Sequence, residues 1–326
     1  MAIRVVFFSD SHLGFDYPVR PRSDRARRGP DFFANFQRVL DHARHTRADL
    51  VIHGGDFFFS RKVDSSIVDT AYTSLLEFAR SGIPIAIVPG NHEGSVLPPS
   101  LFLNHPDIHV FDRPRTFRFD IKNERLVVSG FPYLRNVRVG FSTAVRACGN
   151  DQQQADYRLL CFHHAVEGAV VGPGNFTFRE AGDVIARDDL PTGFDAILSG
   201  HIHRHQVLAY PTPVVYCGSI ERTSFAEKNE AKGFCELTLH RASPIPRLVF
   251  HELPARPMID FDGRGYRQAA KLLDDFARRS SHWQIDAIVR LRLKSYPERR
   301  LRRELERLAP GILNISCPYP RSRAAG

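Results

Sequence analysis

Ile83-Pro84-Ile85-Ala86-Ile87-Val88-Pro89-Gly90-Asn91-His92-Glu93 is the stretch on which the fold of this chain turns. Its first six residues are an apolar run rich in β-branched side chains, the composition of a buried strand. Gly90 then lets the backbone turn sharply and presents Asn91 and His92 at the strand's carboxyl end. Asn91 offers a neutral amide oxygen to a cation, and His92 offers a nitrogen ligand or a proton. Open α/β sheets bind ligands along that edge. Alone, the peptide is equally compatible with an ordinary polar turn, so the other strand ends decide.

They carry the same kind of residue. A first strand, Ile3 to Phe8, delivers Asp10-Ser11-His12. In extended backbone, positions two apart share a face, so one carboxylate and one imidazole converge. Leu50 to His53 is a second strand and leads into Gly54-Gly55-Asp56. Phe32, Phe36, Val39, Leu40 and Ala43 recur at helical spacing, which predicts an amphipathic helix over 31–45; another covers 67–80. The β-α-β-α-β order predicts parallel strands with right-handed crossovers. Further on, Arg158 to Phe162 ends in His163-His164, and Ala196 to Leu198 leads into Ser199-Gly200-His201-Ile202-His203.

Between these elements, 116–121 and 125–129 alternate around Lys122-Asn123-Glu124 as a hairpin, and a helix is expected over 142–148. Strands at 214–216, 235–239 and 248–251 complete a second set, with the polar turn Gly218-Ser219-Ile220-Glu221-Arg222 among them. Prolines 254 and 257 punctuate a linker, so residues 1–254 are expected to form one domain and 255–326 another. The latter reads as a small α+β cap, with a strand at 258–259, a helix over 266–279, an alternating strand over 285–293 and a charged helix over 298–308.

A chain of 326 residues supports one large core plus a smaller domain. Its 43% hydrophobic and 25% charged content is that of a soluble globular protein. No apolar run approaches the roughly 20 residues that cross a bilayer. The run Val5 to Phe8 is cut off by Ser9-Asp10 and is not a signal peptide. Five scattered cysteines without a Cys-x-x-Cys pair fit a reduced, cytoplasmic setting and act as core filler. The net charge of +9 suggests a polyanionic partner, and from Arg256 onward 16 Lys+Arg face 8 Asp+Glu, so the last fifth carries nearly all the excess. Arg20, Arg22, Arg25, Arg27 and Arg28 follow Asp10 and His12 in a proline-rich loop. They are either a solvated surface run or a phosphate clamp.

Collected, the strand-end residues are Asp10, His12, Asp56, Asn91, His92, His163, His201 and His203. Carboxylate, imidazole and amide without cysteine suit manganese, iron or zinc, and the nitrogen content argues against calcium. There are too many ligands for one tetrahedral ion, so two metals are expected.

Asp-x-His, Gly-Asp, Gly-Asn-His-Glu, a later strand-end His and Gly-His-x-His, in this order over about residues 3–253, resemble the calcineurin-like metallophosphoesterases. Ser9-Asp10-Ser11-His12-Leu13-Gly14-Phe15, His163-His164-Ala165-Val166-Glu167-Gly168 and Gly218-Ser219-Ile220-Glu221-Arg222 resemble the SbcD-type, double-strand-break repair nucleases in particular. The resemblance implies a four-layer α/β/β/α sandwich. It implies Asp10, His12 and His203 on one metal, Asn91, His163 and His201 on the other, and Asp56 bridging. His92 is then the proton donor to the leaving oxygen. Aligning the Val166-Glu167-Gly168 stretch favours His163 over His164. Two manganese ions are the family's usual cofactors, with iron, zinc or magnesium as alternatives. DNA is the implied substrate, with Arg222 and the arginine loop as phosphate ligands. The implied partners are an SbcC-type ATPase of the chromosome-maintenance class and a second copy of the chain. The sequence ends soon after the cap with no long helical segment to grip such an ATPase. A phosphodiesterase or phosphatase acting on nucleotides or phosphoproteins is the enzymatic alternative, and a non-catalytic DNA-end-binding subunit the alternative of another class.

Overall fold

The computed structural model describes residues 2–16, 27–149, 154–179, 181–309 and 311–317. They form two compact units: a large one containing Arg28–Thr223 and Glu230–Pro254 with the first strand, and a small one containing Ser224–Asn229 and the chain from Ala255 on.

In the large unit β1 (Ile3–Phe8), β2 (Leu50–His53), β3 (Ile85–Ile87) and β4 (Ile108–Val110) run parallel, with α1 (Gly29–His45) and α2 (Ser65–Ala79) as the first two crossovers. The expected helices and strands hold within a few residues here because periodicity and burial agree. β5 (Arg115–Ile121) and β6 (Glu124–Gly130) form the predicted hairpin, turned by Lys122 and Asn123, both in left-handed backbone. α3 (Val137–Ala147) starts five residues before the expected position, since Val137 and Phe141 are its buried anchors. After β7 (Tyr157–Phe162) come two small ladders, β8 (Ala165–Val166) with β11 (Val184–Ile185) and β9 (Val170–Val171) with β10 (Phe176–Thr177). β12 (Ala196–Ser199), β13 (Gln206–Leu208), β14 (Val214–Tyr216), β15 (Lys232–His240) and β16 (Ser243–Leu253) complete the unit.

Two six-stranded sheets result, ordered β16-β15-β1-β2-β3-β4 and β13-β14-β12-β7-β6-β5. Alternation along each strand assigns every side chain to a layer. Val5 and Phe7 face inward and join Ile52, Val88, Leu159, Cys161 and Leu198 in a core between the sheets. Val6 and Phe8 face outward and pack against Phe32, Phe36 and Leu40 of α1. On the other sheet, Leu160 and Phe162 pack with Val137 and Phe141 of α3. The expected α/β/β/α sandwich is the observed architecture, and each fully buried Phe or Val contributes roughly 1.5–3 kcal/mol to it. Four cysteines, Cys148, Cys161, Cys217 and Cys235, are buried free thiols, and Cys317 of the small unit is partly exposed.

The small unit alternates β17 (Met258–Asp262), α4 (Ala269–Ser280), β18 (Ile288–Arg292), α5 (Arg299–Leu308) and β19 (Ile312–Ser316). Its three strands are parallel. The segregated α+β arrangement expected of it is therefore replaced by α/β alternation, because a third strand after α5 gives that helix a return path. Phe261, Leu272, Phe276, Val289, Leu291 and Leu305 form its core.

Candidate metal centre

Strand register gathers the ligand-type residues. Phe8 of β1 stands beside His53 of β2, and His53 beside Ile87 of β3, so the loops bearing Asp10, Asp56 and Asn91 leave one edge together. In the other sheet Phe162 pairs with Ser199, which places His163 and His201 at the matching edge. Backbone bonds then lock the first two loops: Asp10 N–H donates to Gly55 O at 2.9 Å and His12 N–H to Asp56 O at 3.0 Å.

Asp10 and His12 do not meet through extended backbone, as their spacing had suggested. Asp10, His12, Asp56 and His201 all have positive φ (52°, 43°, 53° and 79°), the left-handed region that non-glycine residues avoid. Such strain persists where the surroundings over-determine the conformation, as they do in ligand clamps. Gly90 is also required for a different reason than expected. Its φ is not positive; a Cβ there would lie 2.3 Å from the backbone nitrogen of Asp56. The glycine permits two loops to touch.

The side chains converge. His163 Nε2 lies 3.2 Å from Asp56 Oδ2, 4.0 Å from Asp10 Oδ1 and 3.1 Å from Asn91 Oδ1. His201 Nδ1 is 3.1 Å from the same amide oxygen. His203 Nε2 is 3.7 Å from Asp10 Oδ1 and 3.0 Å from His12 Nε2, and His12 Nε2 is 4.0 Å from Asp56 Oδ2. Three overlapping sets, Asp10 with His12 and His203, Asp10 with Asp56 and His163, and His12 with Asp56 and His92, have ligand atoms within 4.8 Å of one another.

Partners orient these groups. His163 Nδ1–H donates to Gly54 O at 2.8 Å, leaving Nε2 to face the carboxylates. Asp10 accepts from Ser9 Oγ at 2.5 Å and from the His201 backbone N–H at 3.1 Å. Asp56 Oδ1 accepts from the His92 backbone N–H at 2.9 Å. Ser9 and Glu93 are contributors that motif reading left without a role. Glu93, buried, accepts from Phe58 N–H at 2.8 Å and Gly90 N–H at 3.0 Å and so staples the Asp56 loop to the Asn91 loop. Its place inside the Gly-Asn-His-Glu peptide was the available signal.

The electrostatics call for positive charge. Burial raises the Asp10 carboxyl against the pull of His163 and His203. Burial also disfavours an ionised Asp56, but His163, His12 and His92 outweigh it and hold the carboxyl well below its ordinary range. His163 is buried, yet Asp56 and Asp10 push it up to about 9. Burial and His163 push His201 down to about 3, and burial and His203 hold His12 well below its usual value, so both present neutral imidazoles. His12 Nδ1 is buried and has no hydrogen-bond partner among the described residues. The imidazole nitrogens His12 Nε2, His163 Nε2, His201 Nδ1 and His203 Nε2, with oxygens of Asp10, Asp56 and Asn91, form a donor set that divalent cations fit.

The remaining candidates separate. His92 Nδ1–H donates to Phe59 O at 2.7 Å, which turns Nε2 toward Asp56 Oδ2 at 3.8 Å; the ring is partly open to solvent. His164 turns away, accepting from Leu134 N–H at 3.1 Å with its ring stacked on Tyr133. His205 stacks on Phe250 and meets the carbonyl of Tyr216. Arg28 is not the solvent-facing clamp expected. It is 6% exposed, donates to the carbonyl of Arg222 at 2.5 Å, lies 3.5 Å from Glu221 and sits over Phe15 and Phe32. The apolar packing around its stem draws that guanidinium inward. Arg222 directs its own guanidinium to the carbonyl of Glu230 at 2.9 Å. Arg27 is half-exposed, and Arg20, Arg22 and Arg25 lie outside the described residues.

Residues 3–205, more than half of the sequence, match the calcineurin-like phosphoesterase family. The chain belongs to that family. Its members' shared chemistry rests on divalent metal ions, and the donor set fits them. The chain is 24% identical over 251 residues to the DNA double-strand break repair protein Mre11 of Methanococcus maripaludis, a match covering 71% of this chain and 62% of that one. It is 29% identical over 231 residues to the Mre11 of Halobacterium salinarum, covering 69% and 54%. The matched region thus spans little more than half the length of these relatives. A dimetal phosphatase from Danio rerio aligns with 77% of this chain and 95% of its own at 12% identity and a TM-score of 0.45. Among the described residues no helix is long and apolar enough to cross a membrane.

Proposed function

We propose that this phosphoesterase is a manganese-dependent DNA nuclease of the double-strand-break repair kind. One observation carries the reading: seven ligand-type side chains face one space, and His92, oriented by its bond to Phe59 O, stands at its partly exposed rim with Nε2 3.8 Å from Asp56 Oδ2. Asp10, His12 and His203 would hold one cation, Asn91, His163 and His201 the other, and Asp56 both. When bound, the cations neutralise phosphate charge and lower the pKa of a water. The chain's own residues supply the rest. Gly54 O fixes the tautomer of His163, Ser9 and the His201 amide hold Asp10 in place, and Phe59 O aims His92 Nε2 toward the space where a leaving oxygen gains its proton.

The Mre11 relatives, named for DNA break repair, support DNA as substrate. So does the small unit, which we take as a DNA-binding cap. Arg299, Arg303 and Arg307 recur every four residues along α5, are exposed, and make no ion pair among the described residues, whereas Arg300 and Arg302 pair with Glu304 and Glu306. Such a stripe follows a phosphate backbone. An ATPase of the SbcC type and a second copy of the chain remain the proposed protein partners. The test is a substrate panel with manganese. Linear duplex DNA should be shortened; turnover of cyclic nucleotides or phosphopeptides with DNA untouched would overturn the reading in favour of a small-substrate phosphoesterase.

A further inference from the structure

A second cluster of metal-ligating side chains lies on other elements of the large unit. His42 comes from the last turn of α1, Glu236 from β15 and His251 from β16. His42 Nε2 is 3.1 Å from Glu236 Oε2, His251 Nε2 is 4.0 Å from the same oxygen, and one ligand atom from each of the three residues lies within 4.8 Å of the others. We propose that His42, Glu236 and His251 form a separate divalent-metal site of the zinc type that clips α1 to the edge of the sheet.

An ion pair between His42 and Glu236 accounts for two of the three residues. It does not account for His251, whose Nε2 is shut away from solvent yet has no hydrogen-bond partner among the described residues. A buried imidazole nitrogen aimed at a carboxylate oxygen 4.0 Å away is too far to bond it. It is well placed to share a cation with it. At zinc bond lengths of about 2.0–2.2 Å, tetrahedral ligand atoms stand roughly 3.3–3.6 Å apart. The observed 3.1 and 4.0 Å bracket that range, so the two edges to Glu236 close with shifts of a few tenths of an ångström.

The supports of a metal site are present. His251 stands directly across from Phe234 in the β15–β16 ladder and stacks on it with ring centroids 5.0 Å apart and planes 11° apart. His42 meets the same phenyl ring edge-on at 4.8 Å, so one apolar platform orients both imidazoles. Arg4 Nε holds the other carboxylate oxygen, Glu236 Oε1, at 3.2 Å, leaving Oε2 for a cation. Burial and the neighbouring His42 keep His251 below its ordinary range, in the neutral form that ligates. The three residues are only partly buried, so an ion can enter and a water can complete the tetrahedron. Two imidazoles and one carboxylate without sulfur select zinc, with cobalt as its spectroscopic stand-in, over calcium or magnesium.

The test is cobalt titration of the full chain beside His42→Ala and His251→Phe variants, the second chosen because it keeps the stack on Phe234. Wild type should bind one more equivalent of cobalt than either variant, with the intense visible absorption of tetrahedral cobalt arriving with that equivalent. Zinc should also raise the melting temperature of wild type more than that of His251→Phe. Equal cobalt stoichiometry and an equal zinc-induced shift in wild type and His251→Phe would overturn the site. Manganese-dependent hydrolysis by His251→Phe should match wild type, so this result stands or falls apart from the proposed nuclease activity.

Discussion

Replacing His92 by Gln separates proton donation from metal binding. His92 Nε2 is 3.8 Å from Asp56 Oδ2, compared with 3.2 Å for His163, and its ring is the partly exposed one. Its other nitrogen is committed to Phe59 O at 2.7 Å, so the ring is held as a positioned donor and its loss removes no group that faces both carboxylates. A positioned general acid contributes about 10²–10⁴-fold, or about 2.7–5.4 kcal/mol of barrier at 1.36 kcal/mol per decade. The whole of that should be lost on DNA, whose leaving alkoxide needs a proton. An aryl phosphodiester leaves as a stable phenolate and should lose less than about tenfold, since little general-acid assistance is needed there. The assay is steady-state hydrolysis of both substrates with manganese, alongside metal analysis of the purified variant. Equal losses on the two substrates, or loss of metal from His92→Gln, would refute the assignment.

Asp56→Asn should bind far less manganese than wild type, since its carboxylate lies within reach of His163, His12 and His92; retention of full metal content measured by plasma mass spectrometry would remove Asp56 from the bridging role. Glu93→Ala leaves the Phe58 and Gly90 N–H groups without their acceptor, at about 1–3 kcal/mol each, so urea unfolding should show a loss of about 2–6 kcal/mol; a change below about 1 kcal/mol would mean that water replaces the staple. Replacing Arg299, Arg303 and Arg307 by Ala should weaken duplex binding and flatten its logarithmic salt dependence by about 0.9 for each phosphate no longer neutralised; an unchanged slope would place the DNA elsewhere. In the small unit, hydrogen bonds from Arg290 and Arg292 overcome burial and hold Asp260 well below its ordinary 3.8. The group's folded pKa is depressed, so its contribution is present above pH 3.8 and fades as pH falls below it, and Asp260→Asn should flatten the acid limb of stability followed by circular dichroism.

Most of the centre was legible because its residues sit where strands end. A ligand set at the carboxyl edges of parallel strands leaves a mark in sequence: an apolar run, a glycine, then Asp, Asn or His. Asp56, Asn91 and His201 follow that pattern, and His163 follows its apolar run directly, closely enough to be read one by one. What resisted reading depends on tertiary approach. Gly90 is indispensable because Asp56 passes beside it, and nothing in the pentapeptide reveals its neighbour. Arg28 sits in a charged run but is drawn beneath the surface by Phe15 and Phe32 and by Glu221, which arrives from a distant segment. The strand Ile312–Ser316 is five residues long and gains its meaning only from pairing with Ile288–Arg292. The paired carbonyl of Phe59 gives His92 its direction, and that contact spans 33 residues.

Asp10, His12, Asp56 and Asn91 come from one sheet and His163, His201 and His203 from the other, so the centre straddles the join between the halves of the sandwich. Cations lodged there would act as rivets, and chelation would loosen the whole body as well as silence the enzyme. Catalysis would then be the most sensitive gauge of that join: a slip of one sheet past the other by an ångström would dismantle the reactive geometry well before either sheet unravelled.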